Sequence, residues 1–342
     1  MLTVLLATRD RAETLRDVLE CFCRLERPSS GWKLVLVDNG SVDRTAQVVA
    51  SFSDRLPLHA VFEPQPGKNR ALNAGLALVE GDLTVLTDDD VFPHAAWLNE
   101  LQTAARTQPE YSMFGGAIVP RWEEPPPPWI GWVEPGPAYA LTDPSLKEGP
   151  LPASLIFGPN MAIRTSIFEA GIRFDPAMGP RGSSYPMGSE TELVLRLAGQ
   201  GHKAWHAPEA VVEHFIRKEQ LTAAWVRQRA IRYGRGKCRL AALAALPGSA
   251  GAPPLALRMI VKEALLIGAA WARRRPDALF RARWRFNYWR GQAMEARILA
   301  RDARSARQAS SIAPEQSMPA SRATADSPAP AKRGTVAGAS DR

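Results

Sequence analysis

Residues 1–90 alternate between short apolar runs and longer amphipathic stretches. The short runs predict buried strands over residues 2–6, 33–37, 58–62 and 83–87. Apolar residues at helical spacing predict intervening helices over residues 11–25, 41–52 and 69–79. Alternation of strand and helix indicates an α/β fold, with a mostly parallel, twisted sheet flanked by helices on both faces. Ligands of such sheets gather at the carboxyl ends of the strands.

The second half of the chain has a different pattern. Consecutive prolines and several tryptophans in residues 120–152 predict a long loop. A strand is expected over residues 160–164 and a helix over residues 190–198. Residues 220–307 are predicted to be helical, whereas the Ala-, Ser- and Pro-rich stretch from residue 308 is predicted to be a disordered tail.

The charge of the chain is unevenly distributed. Its 342 residues include 43 Lys and Arg against 35 Asp and Glu, and the net charge of +8 suggests an anionic partner. Residues 1–215 carry about −9, residues 216–307 about +16 and the remainder about +1. Three cysteines are too few for a disulfide framework, and the apolar start is too short for a signal peptide. We therefore expect a cytoplasmic protein.

Three adjacent carboxylates, Asp88, Asp89 and Asp90, follow the fourth predicted strand. Neighbouring carboxylates repel one another unless a cation or hydrogen-bond donors neutralise them. Mg²⁺ and Mn²⁺ prefer oxygen ligands and often join protein carboxylates to substrate phosphates. A position at the end of a strand favours such a site, and a solvated acidic turn is the alternative.

Two further clusters combine polar residues with the end of a predicted element. Asp38 closes the second strand, where a carboxylate can bind a base or a ribose. Ser41 and Asp43, which follow it, are expected to cap the next helix. Gly67 and Lys68 open the third helix, where backbone N–H groups and a lysine attract phosphate. The spacing of this cluster is not that of a P-loop.

Taken in order, segments from both halves of the chain resemble the family 2 glycosyltransferases. In the first half the matching segments are Thr8-Arg9, Val37-Asp38-Asn39-Gly40-Ser41, Gly67-Lys68 to Gly75 and Asp88-Asp89-Asp90. In the second half they are Phe157-Gly158-Pro159-Asn160 to Arg164, Phe174-Asp175-Pro176, Gly188-Ser189-Glu190-Thr191-Glu192-Leu193 and Ala207-Pro208 to His214.

The resemblance implies a catalytic domain with the GT-A fold over residues 1–235. Its nucleotide-sugar half would cover residues 1–118 and its acceptor half residues 119–235. A basic, amphipathic helical extension would follow over residues 236–307, and the tail over residues 308–342.

The resemblance also implies roles for single residues. Those expected to bind the nucleotide sugar are Thr8, Arg9, Asp38, Lys68, Arg70, Asn73, Asp88 and Asp89. Asp90 and His214 are expected to bind a divalent metal, Mn²⁺ or Mg²⁺, although a lone histidine can also be structural. The implied reaction is an inverting displacement, in which a carboxylate deprotonates the acceptor hydroxyl and the metal stabilises the departing diphosphate.

The expected catalytic base departs from the family pattern. The family places Glu-Asp before Thr-Glu-Leu, with the Asp as base, whereas this chain has Ser189 and Glu190. Glu190, longer by one methylene, is therefore the expected base. Acceptor contacts are expected from Asn160, Trp129, Trp132 and Glu192. The alternatives are loop packing for the tryptophans and stabilisation of a helix N-terminus for Glu192.

The basic extension contains the most apolar long stretch of the chain, residues 255–271. Arg258, Lys262 and Glu263 interrupt it, which disfavours a membrane-spanning helix. Arginines interleaved with aromatic residues follow in residues 273–289, a pattern typical of a helix at an anionic membrane surface. A solvated helix pair packed on the catalytic domain is the alternative. Nucleic acid is disfavoured, because no recognition motif is present and the acidic half would repel it.

The sequence thus predicts a metal-dependent, inverting glycosyltransferase. Its donor would be a nucleotide diphosphate sugar, expected to be UDP-linked, and its acceptor a glycan or a lipid-linked sugar in cell-envelope or exopolysaccharide synthesis. We expect a peripheral protein on the inner face of the cell membrane. The alternatives are a catalytically silent, membrane-associated nucleotide-sugar-binding protein and a sugar-phosphate nucleotidyltransferase, although the latter requires a glycine-rich N-terminal loop that this chain lacks.

Overall fold

The computed structural model describes residues 1–180, 185–244 and 253–312. Residues 1–300 form one compact unit, and residues 301–342 are assigned to a second. The predicted tail begins inside a helix that continues to Ile312. The rest of that tail lies outside the described residues.

A mixed sheet of nine strands runs through the described part of the chain. The strands are β1 (Leu2–Thr8), β2 (Trp32–Asp38), β3 (Leu58–Phe62), β4 (Leu83–Asp88), β5 (Val91–Pro93), β6 (Met113–Trp122), β7 (Gly149–Leu151), β8 (Met161–Arg164) and β9 (Ala204–Ile216). Their order is β3-β2-β1-β4-β8-β6-β9-β5, with β7 paired to β9. The first four are mutually parallel, and β8 is antiparallel to both of its neighbours.

Helices cover both faces of the sheet. They are α1 (Ala12–Phe22), α2 (Thr45–Ala50), α3 (Lys68–Gly75), α4 (Trp97–Thr107), α5 (Pro135–Tyr139), α6 (Thr165–Glu169), α7 (Ser189–Gly199), α8 (Ala223–Ala244), α9 (Pro253–Ala272) and α10 (Pro276–Ile312). One buried cluster joins the sheet to α1, α2 and α4, and a second joins it to α3 and α7. The predicted α/β class is confirmed.

The start of α2 differs from the prediction. The helix begins at Thr45 instead of residue 41. Asp43 Oδ1 accepts the Thr45 backbone N–H at 2.9 Å, so Asp43 stabilises the helix start. Ser41 Oγ instead accepts the backbone N–H of Asp10 at 2.9 Å. Ser41 therefore joins the loop after β2 to the loop after β1.

A bulge between β6 and β9 sets the position of the second half of the sheet. The strand register shifts between Gly116 and Ala117. A Cβ on Gly116 would lie 2.2 Å from the Ala210 carbonyl oxygen, so the close approach of the two strands requires glycine there. Beyond the bulge, β9 pairs with β5 so that His214 lies opposite Val91.

Asn160 holds this bulge together. Its Nδ2 donates to the carbonyls of Ala117 at 2.9 Å and Ala210 at 2.7 Å, and its Oδ1 accepts from Trp97 Nε1 at 2.8 Å. The side chain is fully buried. The acceptor contact expected for Asn160 is therefore replaced by a structural role, because its amide atoms are already paired inside the protein.

The three C-terminal helices are joined by close backbone contact and buried ion pairs. A Cβ on Gly234 of α8 would lie 2.0 Å from the Tyr288 carbonyl oxygen of α10. Glu295 of α10 is fully buried and contacts both Arg235 and Arg239 of α8. The predicted boundary between residues 235 and 236 therefore falls in the middle of a packed helix.

Candidate active site

A cleft of about 900 Å³ opens beyond the carboxyl ends of β1 and β4. Loop and helix-start residues of the first half line one side of it, and residues near α7, β9 and α8 line the other. Among the lining residues are Thr8, Arg9, Arg11, Lys68, Asp88, Asp89, Asp90, Glu190, His214 and Arg217. The cleft therefore lies where the topology of a parallel sheet predicts a ligand site.

The three carboxylates of the triplet have different partners. Asp88 Oδ1 lies 2.5 Å from Lys68 Nζ, and Asp89 Oδ2 accepts the Thr8 hydroxyl at 2.7 Å. Burial, together with the negative charge of Asp90, raises the pKa of Asp89 to about 7. Burial also raises the pKa of Asp88, despite the nearby Lys68. The triplet is therefore a set of three separate environments and not a single acidic turn.

Lys68 joins the triplet to the expected base. Its Nζ lies 2.5 Å from Asp88 Oδ1 and 2.6 Å from Glu190 Oε1. Burial opposes its charge, but the two carboxylates more than compensate and raise the pKa of Lys68. Burial would likewise raise the pKa of Glu190, yet Lys68 and the Ser189 hydroxyl lower it to about 2. Glu190 is therefore ionised at neutral pH and held in one orientation.

Asp90 and His214 are neighbours in the cleft lining. His214 Nδ1 lies 2.6 Å from the Tyr139 carbonyl oxygen. A carbonyl can only accept, so the proton is on Nδ1 and the Nε2 atom faces Asp90 Oδ1 at 3.6 Å. Burial would raise the pKa of Asp90, but the neighbouring His214 and Arg11, when positively charged, lower it.

This pair fits a divalent cation. One carboxylate and one imidazole oriented by a backbone carbonyl are suitable ligands, and substrate phosphates commonly complete such a site. Within the described ranges, no group of three or more His, Cys, Asp or Glu side chains forms a metal site. Asp90 and His214 would therefore provide two protein ligands, with the remaining positions left to substrate and water.

Two arginines lie close to the Oδ2 atom of Asp90. Arg11 Nη1 lies 3.6 Å and Arg217 Nη2 3.7 Å from Asp90 Oδ2. Arg11 Nη1 is buried and has no hydrogen-bond partner among the residues the structure describes. An unsatisfied buried donor is costly, and a phosphate oxygen in the cleft would satisfy it.

One face of α8 forms a wall of the cleft that the sequence interpretation missed. It presents Trp225, Arg229, Arg232, Tyr233 and Lys237. Trp225 stacks on Tyr139 with ring centroids 5.5 Å apart. The recurrence of these residues every three or four positions was the available signal.

Some expected nucleotide-sugar ligands lie outside the cleft lining. Asp38 Oδ1 accepts the Ser41 backbone N–H at 2.9 Å, and Arg70 donates to Gln65 Oε1 at 2.9 Å. Asn73 exchanges two hydrogen bonds with the backbone of Phe174, at 2.8 and 2.9 Å. Both amide atoms of Asn73 are used in internal contacts, so Asn73 holds the loop at Phe174. Asp38 and Arg70 use one polar atom each in these contacts, and their roles at the nucleotide stay predictions.

The remaining expected acceptor residues also have internal partners. Trp129 stacks on Phe280 of α10 with centroids 4.9 Å apart, and Trp132 contacts the same ring at 6.1 Å. Glu192 pairs with Arg196, one turn further along α7, at 2.7 Å. The alternative of loop packing therefore describes the tryptophans, and Glu192 stabilises its own helix.

Comparison with known proteins gives a consistent family. The profile described as glycosyl transferase family 2 matches residues 3–171. Glycosyltransferase AglE of Haloferax volcanii is 29% identical over 99 residues, which are 28% of this chain and 32% of AglE. The probable glycosyltransferase YdaM of Bacillus subtilis is 23% identical over 248 residues, 68% of this chain and 54% of YdaM. The matched part of the chain thus spans about a third of the length of AglE and about half of the length of YdaM.

Solved structures agree on the fold. Mannosyltransferase PcManGT from Pyrobaculum calidifontis, in complex with GDP-Man and Mn²⁺, superimposes with a TM-score of 0.58 at 20% identity, covering 86% of both chains. Residues 1–349 of S. aureus TarS in complex with UDP-GlcNAc give a TM-score of 0.50 at 13% identity, covering 90% of this chain and 91% of TarS. From its motifs, its sheet and these likenesses, the chain is a member of glycosyl transferase family 2 with the GT-A fold.

Proposed function

We propose that this protein is an inverting glycosyltransferase that moves a sugar from a UDP-linked donor to a glycan or lipid-linked acceptor in cell-envelope or exopolysaccharide synthesis. The observation that carries the proposal is the contact of one ammonium group, Lys68 Nζ, with both Asp88 and Glu190. It joins the carboxylate expected at the donor to the carboxylate expected at the acceptor. Bound GDP-Man in PcManGT and UDP-GlcNAc in TarS support a nucleotide-sugar donor.

Glu190 acts as the base in this reaction. Its carboxylate takes the proton of the acceptor hydroxyl as that oxygen attacks the anomeric carbon. Oε1 accepts from Lys68 and Oε2 from the Ser189 hydroxyl, each at 2.6 Å. Each oxygen has a second lone pair, so the carboxylate can also accept the acceptor hydroxyl without losing these contacts.

The diphosphate of the donor is received at the other side of the cleft. Arg11 and Arg217 provide guanidinium groups for phosphate oxygens. Asp90 and His214 would hold a Mn²⁺ or Mg²⁺ ion, which supplies charge stabilisation to the departing diphosphate when bound. Bound Mn²⁺ in PcManGT supports this assignment.

Two substitutions test the assignment. In the presence of Mn²⁺, the wild-type protein should hydrolyse UDP-sugars or transfer their sugar to an acceptor. Glu190→Gln should reduce this turnover roughly 100-fold or more while UDP binding is retained. Asp90→Ala should abolish metal-dependent UDP binding. Exposed Glu169→Gln and Asp82→Ala are the matched controls. Binding of UDP without turnover in wild type would indicate the silent binding protein instead.

A thermal-shift screen identifies the donor. Ligands that bind only the folded protein raise its melting temperature by mass action. UDP-, GDP- and other nucleotide sugars should be compared with Mn²⁺ and with Mg²⁺. A larger shift with a GDP-sugar than with any UDP-sugar would contradict the UDP assignment and leave the reaction class intact.

We also propose that the protein binds the anionic inner surface of the cell membrane through α9. None of the helices in the described ranges is long and apolar enough to cross a membrane. Yet Leu257, Val261 and Leu265, at successive turns of α9, are 60%, 54% and 71% exposed. Ala256, Glu263 and Ala270 are buried on its opposite face. The helix therefore presents an apolar stripe outwards while another face packs on the protein.

The charge beside the stripe favours a bilayer with anionic lipid as its occupant. Arg258 and Lys262 lie next to it on α9, and Arg273 follows the helix. Long basic side chains can reach headgroups while apolar side chains enter the acyl region. The aromatic residues of α10 are not part of this surface. Trp284 packs against the main core, and Tyr288 contacts Tyr233 of α8.

Vesicle sedimentation tests this surface. Wild type should sediment with phosphatidylcholine vesicles that contain phosphatidylglycerol, and less with phosphatidylcholine alone. Leu265→Glu and Val261→Glu should each lower binding about tenfold, because each places a charge in the apolar stripe. Leu78→Glu is the control, since Leu78 is 41% exposed elsewhere. Unchanged sedimentation of both α9 variants would refute the proposal.

A further inference from the structure

The wall of the cleft formed by α8 carries positive charge that the donor site does not use. Arg232 and Lys237 line the cleft. In the part of the chain that the structure describes, neither has a carboxylate within ion-pair distance. The buried carboxylate of Glu295 on α10 contacts Arg235 and Arg239 instead. Arg232 lies 5.4 Å from the Tyr185 ring and Lys237 5.4 Å from the Tyr233 ring. Two cations thus face the cleft with aromatic rings beside them.

The position of Lys237 along α8 separates it from the donor diphosphate. Trp225 marks the donor end of the helix, because it stacks on Tyr139, whose carbonyl contacts His214. At 1.5 Å per residue, Lys237 lies about 18 Å further along the helix axis. A diphosphate held near Asp90 and His214 is far shorter than that, so it does not reach Lys237.

The segment before α7, which leads to Glu190, packs on α8 between Arg232 and Lys237. The backbone N–H of Met187 donates to the Arg232 carbonyl at 3.2 Å. A Cβ on Gly236 would lie 1.9 Å from the Met187 carbonyl oxygen, so loop and helix backbones are in direct contact. Arg232 and Lys237 therefore lie on either side of the segment that leads to Glu190. An acceptor must present its hydroxyl beside Glu190, close to both cations.

From these positions we infer that the acceptor carries a phosphate group, bound by Arg232 and Lys237 while Glu190 receives the proton of the attacking hydroxyl. The inference rests on the proposed glycosyltransferase function. A phosphate monoester carries a charge close to −2 at neutral pH and matches two cations, whereas a carboxylate matches one.

The phosphate can belong to a polyprenyl carrier or to the glycan itself. Farnesyl phosphate represents the first source and glucose 6-phosphate the second, with farnesol and glucose as their uncharged counterparts. Glucuronate supplies a carboxylate in place of phosphate. Binding of each probe is measured by isothermal titration calorimetry, after the donor side has been saturated with Mn²⁺ and the nucleoside diphosphate that stabilises the protein most.

At least one phosphate probe should bind tenfold or more tightly than its uncharged counterpart. Arg232→Gln and Lys237→Gln should each raise the dissociation constant of that probe about tenfold, as expected for a charge-assisted hydrogen bond. Arg227→Gln removes the same charge from an exposed position of α8 and should change it less than twofold. Which phosphate probe binds identifies the source.

Three results would overturn the inference: no binding of either phosphate probe, glucuronate binding as tightly as glucose 6-phosphate, or an equal effect of Arg227→Gln. Nucleotide binding and donor hydrolysis are measured on the same variants, and both should stay within twofold of wild type for Arg227→Gln. If the proposed function is wrong, the wild-type protein will show no metal-dependent nucleotide binding. If only the phosphate site is wrong, nucleotide binding will be normal and the phosphate probes will not bind.

Discussion

Lys68 in the acidic half and Glu295 in the basic helices each contact two side chains of opposite charge. Lys68 Nζ contacts two carboxylates, at 2.5 and 2.6 Å, and Glu295 contacts two guanidinium groups, at 2.8 and 2.5 Å. Each is the minority charge of its region, shared between two residues of the majority charge. They differ in access: the Lys68 side chain is 19% exposed at the cleft, whereas Glu295 is fully buried.

This difference separates charges that hold the fold from charges that meet ligands. The segment 216–307 has five acidic residues, and two of them, Glu263 and Glu295, are buried in ion pairs between helices. Most of its cations are therefore left for the cleft or the outer surface. In the acidic half, Lys68 is at the cleft, where ligands can compete for its carboxylates. A shared counter-charge is structural when buried and functional when it lines a site.

Removing Lys68 should have the largest effect on activity. Lys68→Met leaves the carboxylates of Asp88 and Glu190 without their common cation, so Glu190 loses a contact that orients it. Turnover of the nucleotide sugar should fall 100- to 1000-fold, or about 3–4 kcal/mol in transition-state stabilisation. Lys147→Met, at an exposed position, is the control. Turnover above a tenth of wild type would mean that the contact of Lys68 with Asp88 and Glu190 is not needed for catalysis.

Removing the charge of Glu295 should instead act on stability. Glu295→Gln removes the buried negative charge that Arg235 and Arg239 share, and the free energy of unfolding should fall by about 3 kcal/mol in urea titrations. Turnover per folded molecule should stay within twofold of wild type. Asp302→Asn, at an exposed ion pair, should cost less than about 0.5 kcal/mol. A loss of turnover without loss of stability would break the comparison with Lys68.

The close crossing of α8 and α10 predicts a smaller effect. Gly234→Ala would place a Cβ 2.0 Å from the Tyr288 carbonyl oxygen, so the helices must separate. We expect a loss of about 2 kcal/mol in the free energy of unfolding. Gly268→Ala on α9 meets nothing within 4 Å and should be neutral or stabilising by up to about 1 kcal/mol. Equal outcomes for the two glycines would show that the helices are less closely packed.

The smallest effect concerns stability in acid. The pKa of Glu190 is lowered from its usual 4.5 to about 2, so its contribution to stability is complete above pH 4.5 and is lost as the pH falls towards 2. Glu190→Gln removes this titration, and its stability should fall less steeply than that of wild type over this window. Urea unfolding at several pH values measures the slopes. Exposed Glu169→Gln should keep the wild-type slope.

The strands of the first half could be predicted because each is a local apolar run. Predicted strands over residues 33–37 and 83–87 match Trp32–Asp38 and Leu83–Asp88 within one residue at each end. Element ends set by side-chain contacts were less predictable. The position of α2 depends on Asp43 and on the bond from Asp10 to Ser41, a contact between residues 31 positions apart.

The site was predictable at the end of β4 and at the start of α3, whereas Asp38 at the end of β2 lies outside the cleft lining. Asp88, Asp89, Asp90 and Lys68 line the cleft, as expected from such positions. Polar residues inside elements were not predictable in this way. Asn160 and Asn73 have the same chemistry as ligand-binding residues, yet their amides bond the backbone of distant segments. Only the packed structure shows whether a polar group is already satisfied.

The sequence by itself determined the α/β class, the family and the placing of the acidic triplet at the end of a buried strand, since these depend on local pattern and residue order. The tertiary structure decided which distant residues meet. Lys68 and Glu190 are 122 positions apart, and their contact requires α3, β4 and α7 to be packed together. Likewise, one face of α8 entered the cleft and α9 presented its apolar stripe outwards. Periodicity reveals that a helix has faces, but packing selects which one is buried.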